Sequence, residues 1–226
     1  MQFRPFCITF LAASAVVLTG ACGSAESTTP RAAKPSASTP STPPEAKPMS
    51  EEQLSTLLVA GQDLPGHKVE EAMQGGLVSA DRPECRDLAT LLLGGAMTGT
   101  GGQVHTQAVK GGTVTKVSLH SWFGTKAGTI LADVKAGGAK CGSGFNALGG
   151  TGTIRITKVV ADSTTRVGDE SVAITAEQQS DGKKSVIEAV MVRKGTTIAS
   201  FTAHNASAAT EKPAVVVTAQ MSKLNS

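Results

Sequence analysis

Two cysteines in the long C-terminal part of the chain, Cys85 and Cys141, place the strongest constraint on what it can fold into. If they are bonded, two segments that are distant in the sequence must meet in space. Whether they bond depends on the compartment, because disulfides persist in oxidising exteriors and are rare in the reducing cytosol. The other two cysteines, Cys7 and Cys22, lie in the N-terminal segment that bears on this question.

The N-terminal segment has the layout of a secretory signal peptide. Arg4 supplies a positive charge, and an apolar to weakly polar run follows over residues 6–19. This run is too short to span a hydrocarbon core, which needs about 20 apolar residues. The junction LTGAC at residues 18–22 resembles a bacterial lipobox, with Thr19 standing where Leu is commonest.

The resemblance implies that residues 1–21 are removed and that Cys22 carries lipid, with palmitate among the expected acyl chains. Two or three acyl chains give lasting attachment, because each buried CH2 contributes about 0.8 kcal/mol. We therefore expect a protein that is lipid-anchored at the extracytoplasmic face of the cell membrane. The alternative is an ordinary secreted protein with a chance cysteine near its cleavage site.

In this interpretation Cys7 leaves with the signal peptide, Cys22 is lipidated, and two cysteines remain. Two leftover cysteines in an oxidising exterior most often pair, so we expect a disulfide between Cys85 and Cys141. The alternatives are two free thiols or half of a metal site. No CxxC motif and no nearby Cys/His pair supports a metal, and the disulfide is the favoured interpretation.

A spacer and one domain are expected after the signal. Residues 22–48 comprise the lipidated Cys22 and a stretch rich in Ser, Thr, Pro and Ala, which cannot bury enough apolar surface to fold. Residues 49–226 are predicted to form a single extracellular domain. It opens with Ser50 and Gln53, a residue pair that fits a helical capping box.

Alternating polarity predicts a hairpin and then a run of antiparallel strands, interrupted by helices with apolar stripes. The hairpin joins strands near 104–109 and 114–123 around a Gly111-Gly112 turn, and a helix is expected over 125–137. The other expected strands are 67–73, ahead of the hairpin, and 152–160, 171–178, 185–193 and 196–204 after it. The predicted fold class is α+β: a twisted antiparallel sheet, helices packed mainly on one face, and one disulfide.

The chain lacks the motifs of common catalytic sites. It contains no HExxH, Walker or GxSxG sequence, and its four histidines show no metal-ligand spacing. A formal net charge of only +3 argues against nucleic acid as a partner. We therefore expect no enzymatic activity, no cofactor and no bound metal.

His120 and Trp122 are the most promising candidates for ligand binding, because they share one face of a predicted strand. A Trp face beside a His can line a pocket. The alternative is that Trp122 simply packs beneath a helix or loop.

Several short motifs resemble the PknH-like extracellular sensor domains of actinobacteria, which occur on membrane-anchored Ser/Thr kinases and as free lipoproteins. The abundance of Ala, Gly, Thr and Val is also typical of GC-rich actinobacterial genomes. The motifs span residues 50–225 and are Asp63-Leu64-Pro65-Gly66, Pro83-Glu84-Cys85, Trp122-Phe123 before a helix ending near Cys141, Gly168-Asp169-Glu170-Ser171, Arg193-Lys194-Gly195 and Gln220 in a final helix.

The resemblance implies an α+β domain whose antiparallel sheet forms a ligand-binding cleft. The kinase sensor domains carry two disulfides, whereas this chain has cysteines for one, and without a kinase domain any signalling would need a partner. We predict a sensor-like module that binds a small molecule or envelope component in a shallow polar cleft near His120, Trp122 and Arg193. The alternative is a lipid or glycolipid carrier, which would need a deep apolar cavity between sheet and helices.

Overall fold

An antiparallel sheet of nine strands organises the structure, a computed structural model that describes residues 46–149, 152–164, 166–180, 182–206 and 209–226. The strands are β1 (Lys68–Glu71), β2 (Ser79–Ala80), β3 (Gly102–Lys110), β4 (Thr113–Ser121), β5 (Phe145–Gly149), β6 (Gly152–Asp162), β7 (Glu170–Ser180), β8 (Lys183–Lys194) and β9 (Thr197–His204). The helices are α1 (Glu51–Leu57), α2 (Arg86–Leu92), α3 (Lys126–Lys140) and α4 (Ala214–Leu224). Cys22, the predicted signal peptide and the predicted spacer up to residue 45 lie outside the described residues.

The strand order across the sheet is β1-β3-β4-β9-β8-β7-β6-β5-β2. Two meanders therefore meet where β4 pairs with β9, a contact that joins parts of the chain far apart in sequence. The hairpin predicted around Gly111-Gly112 is confirmed, with Lys110 opposite Thr113. Both glycines have positive φ, a conformation that two-residue hairpin turns require and that glycine adopts without strain.

The central strands bury side chains on both faces of the sheet. In β8, Ile187, Ala189 and Met191 belong to one apolar core together with α2 and α3. Val190 and Val192 point the other way and pack with the core that includes α1 and α4. We name these surfaces the α2/α3 face and the α1/α4 face.

The predicted α+β class is confirmed: four helices pack on a large antiparallel sheet, and one disulfide is present. The helices, however, divide between the two faces instead of lying mainly on one. The reason is the two-sided burial of β8 and β9, since each apolar face needs its own covering layer. Among the described residues no helix is both long and apolar enough to cross a membrane.

The predicted disulfide between Cys85 and Cys141 is confirmed, with the two Cα atoms 6.0 Å apart. Cys85 immediately precedes α2, and Cys141 immediately follows α3. Both residues are fully buried in the core of the α2/α3 face. The bond therefore joins the start of one covering helix to the end of the other.

Helix α3 extends beyond its predicted end at Gly137, because Gly137 and Gly138 lie at close contacts inside the fold. A β-carbon on Gly137 would lie 3.2 Å from Cβ of Leu88 in α2, and one on Gly138 would lie 2.7 Å from Cβ of Ala161 in β6. Packing against α2 and the sheet thus keeps these glycines helical, although glycine in this position usually favours the end of a helix.

Replacing both Cys85 and Cys141 by Ser should lower the free energy of unfolding by about 4 kcal/mol in the chain-entropy model, since the loop closed by the bond is long. Denaturant titration in oxidising buffer measures the loss, and a reductant should weaken the parent protein while leaving the double variant unchanged. Equal stability of the two proteins, or two titratable thiols in the unfolded, unreduced parent, would contradict a structural disulfide.

Candidate functional site

Strand β4 presents a row of polar residues on the α2/α3 face. Lys116, Ser118 and His120 alternate with Val117 and Leu119, which pack into the opposite core. The neighbouring strands extend the row, because the register sets His105 and Gln103 of β3, and Ser200 and Thr202 of β9, beside it. We name this group the polar strip; its members are Gln103, His105, Lys116, Ser118, His120, Ser200 and Thr202.

Three aromatic rings meet at one end of the polar strip. The ring of His120 stacks on Trp122 with centroids 5.7 Å apart, and His105 approaches His120 edge-on at 5.4 Å. Nδ1 of His105 lies 2.8 Å from Oγ of Ser118. The indole Nε1–H of Trp122 donates to the carbonyl oxygen of Thr98 at 3.4 Å.

The electrostatics of the polar strip favour neutral histidines. Burial, reinforced by the nearby His105 and Lys116, lowers the pKa of His120 to about 3. Burial and then the Lys116 charge also lower the pKa of His105, and burial lowers the pKa of Lys116. Both ring nitrogens of His120 and Nε2 of His105 are buried without a hydrogen-bond partner among the described residues. These buried, unpartnered polar groups therefore lower the free energy of unfolding.

Residues 94–101, which we name the covering segment, contact Lys116 at one end of the polar strip and Ser121 and Trp122 just beyond its other end. At one end Nζ of Lys116 donates to the carbonyl oxygen of Gly94 at 2.9 Å. At the other end Thr98 accepts from Trp122, and Gly101 N–H donates to the carbonyl oxygen of Ser121 at 2.8 Å. His120 and Trp122 are each 1% exposed, so neither ring lies at an open surface.

A cavity of about 200 Å³ adjoins the Lys116 end of the strip, between the end of α2 and the sheet. Its walls are mainly apolar, and its polar groups come from Lys116, Gln178, Thr202 and His204. The apolar lining residues are Leu92, Leu93, Ile154 and Ile187. The described lining contains no Asp or Glu, so Lys116 is the charged group that would select a ligand.

Two larger cavities have less suitable chemistry. One, of about 240 Å³ between α2 and the start of α3, is lined by Arg86 and Asp87, which pair with each other at 3.0 Å. The other, of about 320 Å³, lies near Asn146 and Arg155 on the β5–β6 hairpin and is mainly polar. Within the described residues no group of three His, Cys, Asp or Glu side chains could hold a metal ion.

The structure brings His120 and Trp122 together, as their shared strand face indicated, and places Arg193 on the same face. The register runs from His120 to Ile198 and on to Arg193, so the arginine lies two strands away. Its guanidinium lies 3.4 Å from Asp169 and 3.6 Å from Glu170, in an ion-pair group at the sheet margin. Arg193 is thus paired with carboxylates at a distance from the cavity.

Sequence reasoning missed His105, Lys116 and Ser118 as site residues. A signal for them was present in the hairpin, because a two-residue turn at Gly111-Gly112 places His105 opposite Ser118. No comparable signal marks the cavity, whose lining residues come from α2, β4, β6, β7, β8 and β9.

The contact between Ser118 and His105 does not form a catalytic dyad of the hydrolase type. Ser118 lies in the middle of β4, where the flanking strands β3 and β9 engage the backbone N–H groups that an oxyanion hole would need. Nε2 of His105 also lacks a carboxylate partner among the described residues. The geometry supports a hydrogen bond that orients the His105 ring.

Comparison with known proteins bears on the fold. No protein-family model matches the sequence, and a search of curated proteins finds no significant match. Among solved structures, the chain is similar to the crystal structure of the extracellular domain of PknH from Mycobacterium tuberculosis. The match has 13% sequence identity and a TM-score of 0.57, and covers 79% of this chain and 98% of that chain. The PknH-like fold expected from the sequence motifs is therefore present.

Replacing His120 by Phe should reduce the loss of stability in acid. His120 stays neutral in the folded protein down to pH about 3, whereas in the unfolded chain it takes up a proton below pH about 6.5. The free energy of unfolding of the parent should therefore fall as the pH drops below 6.5, by about 3 kcal/mol at pH 4 from this group.

Denaturant titrations at pH 7 and pH 4 measure this difference. The variant His204→Gln is the control, since the His204 side chain is exposed. A pH dependence that is the same in His120→Phe and in the parent would show that His120 is not held neutral by burial.

Proposed function

We propose that this chain is a lipid-anchored, extracytoplasmic binding module of the sensor type, without enzymatic activity. The observation that carries the proposal is the cavity beside the polar strip, where an apolar chamber meets a half-buried Lys116. Small-molecule sites combine apolar walls with a few placed polar groups in this way.

An extracytoplasmic location is supported by two independent features. The buried disulfide between Cys85 and Cys141 is typical of proteins that fold in oxidising compartments. The similar fold found by structure comparison is that of an extracellular domain. The lipobox-like junction at Cys22 supports attachment through lipid and a membrane as the first partner.

The size of the cavity favours a small ligand over a transported lipid. About 200 Å³ is below the usual range of about 300–1,000 Å³ for drug-sized ligands. A carrier of lipid or glycolipid would need a larger apolar chamber between the sheet and the helices. We therefore favour recognition of a small molecule or a small part of an envelope component, with any signal passed on by a partner protein.

Replacing Cys22 by Ala should release the protein from the membrane fraction, because the acyl chains that hold it there are attached to this thiol. Fractionation of cells followed by immunoblotting measures the release. The matched control is Cys7→Ala, which alters a cysteine inside the predicted signal peptide and should leave the protein in the membrane fraction. Unchanged membrane retention of the Cys22 variant would contradict the lipid anchor.

Native mass spectrometry of the mature protein, purified in mild detergent from its own cell envelope, should reveal a bound small molecule. Filling the cavity by Ile154→Phe should remove that adduct, because Ile154 lines the chamber. The binding function would be contradicted if the parent carries no adduct and if envelope extracts change neither its thermal stability nor the fluorescence of Trp122.

A further inference from the structure

Among the described residues, Lys116 is a half-buried cation without an ionic partner. The ion pairs of the described residues do not include it, and its Nζ donates to the neutral carbonyl oxygen of Gly94. Burial of a charge without a counter-charge is unfavourable, and it lowers the pKa of the Lys116 amine. An anion arriving at this position would relieve that cost.

The surroundings of Lys116 define the rest of such a ligand. Lys116 lines a chamber of about 200 Å³ whose walls also include Leu92, Leu93 and Ile187. A cavity of about 150 Å³ holds benzene, so this one has room for an apolar tail of about eight carbon atoms, with the charged head group at Lys116. A short apolar tail therefore fits the chamber, whereas a diacyl lipid does not.

The charge on the ligand follows from the donor set. The described lining supplies one ammonium group, no arginine and no acidic residue. Phosphate groups are commonly held by bidentate arginine or by a lysine together with several further donors, whereas a carboxylate can be paired by one ammonium group. The site accordingly favours a carboxylate over a phosphate.

We propose that this cavity binds a small amphipathic carboxylate, with the carboxylate paired to Lys116 and a short apolar tail between the end of α2 and strands β6 and β8. The proposal rests on the binding function argued above and assigns the ligand class of that site.

The structure also links the cavity to a spectroscopic reporter. A carboxylate on Lys116 competes with the carbonyl oxygen of Gly94, the first residue of the covering segment. Further along that segment the carbonyl oxygen of Thr98 accepts from the indole of Trp122. Because the chain has one Trp and no Tyr, a shift of the covering segment should change an intrinsic fluorescence that comes from Trp122.

The test uses octanoate as the probe, titrated into the mature protein while the fluorescence of Trp122 and the methyl NMR signals of Leu92, Leu93 and Ile187 are recorded. Octanoate should shift these methyl signals in a saturable manner. Octanol and octylamine, which have the same tail, should bind at least tenfold more weakly, because a charge-assisted hydrogen bond contributes enough for that factor. Acetate, which lacks the tail, should not saturate the site.

Lys116→Met removes the charge and keeps the length of the side chain, so it should weaken octanoate at least tenfold and leave octanol unaffected. Lys116→Arg should retain most of the affinity. Lys110→Met is the matched control, since Lys110 is an exposed lysine on the same hairpin. If Lys116→Met fails to fold, the comparison of octanoate with octanol and octylamine on the parent protein decides the question.

The outcomes separate this proposal from the binding function itself. Octanol binding as tightly as octanoate, or equal affinity in Lys116→Met, would overturn the carboxylate assignment and leave an apolar binding site in place. Octanoate that fails to shift the three methyl signals would overturn it as well. If the adduct from the cell envelope is also absent, both the carboxylate assignment and the proposed binding function are contradicted.

Discussion

Burial of strand β9 on both faces is the constraint on which the rest of the structure depends. Seven of its eight residues are buried, with Ile198 in the core of the α2/α3 face and Ala199 and Phe201 in the core of the α1/α4 face. A strand in this position must be covered from both sides, so the chain supplies α2 and α3 for one face and α1 and α4 for the other. Gln220 joins α4 to the end of α1: its amide accepts from Val59 N–H at 3.1 Å and donates to the carbonyl oxygen of Leu57 at 2.8 Å.

On the α2/α3 face, the polar strip is an exception to the burial of apolar side chains against the sheet. On this face β4 carries Lys116, Ser118 and His120 at positions where apolar residues would stabilise the fold better. Buried polar atoms without partners cost about 1–3 kcal/mol each, and the strip holds several of them. Buried polar groups that lower the stability of the fold are expected at functional sites, because the same groups can take part in binding. The cavity lies at the Lys116 end of the polar strip, where the strip adjoins the apolar core of the α2/α3 face.

The local structure was predictable because it depends on neighbouring residues. The capping box at Ser50 and Gln53 is present, with hydrogen bonds of 2.9 and 3.3 Å, and the strands from Gly102 to His204 begin and end close to their predicted limits. Strand β5 was missed, because its five residues lie between glycines and show little β-branched character. The division of helices between two faces was also missed: the two-sided burial of β8 and β9 requires it, but which helix covers which face depends on long-range packing that no local pattern encodes.

The same difference between local and long-range information applies to the site. One strand suffices to place His120 beside Trp122, whereas the cavity exists only because α2 ends above β4, β8 and β9. The disulfide at Cys85 holds the first turn of that helix against α3 and leaves its other end, at Leu92 and Leu93, to form the cavity wall. The glycine-rich covering segment follows directly, so a displacement at the cavity can be absorbed there without unfolding α2. Helix α2 is thus fixed at its start by the disulfide, and the glycines that follow its end are where the backbone has the greatest conformational freedom.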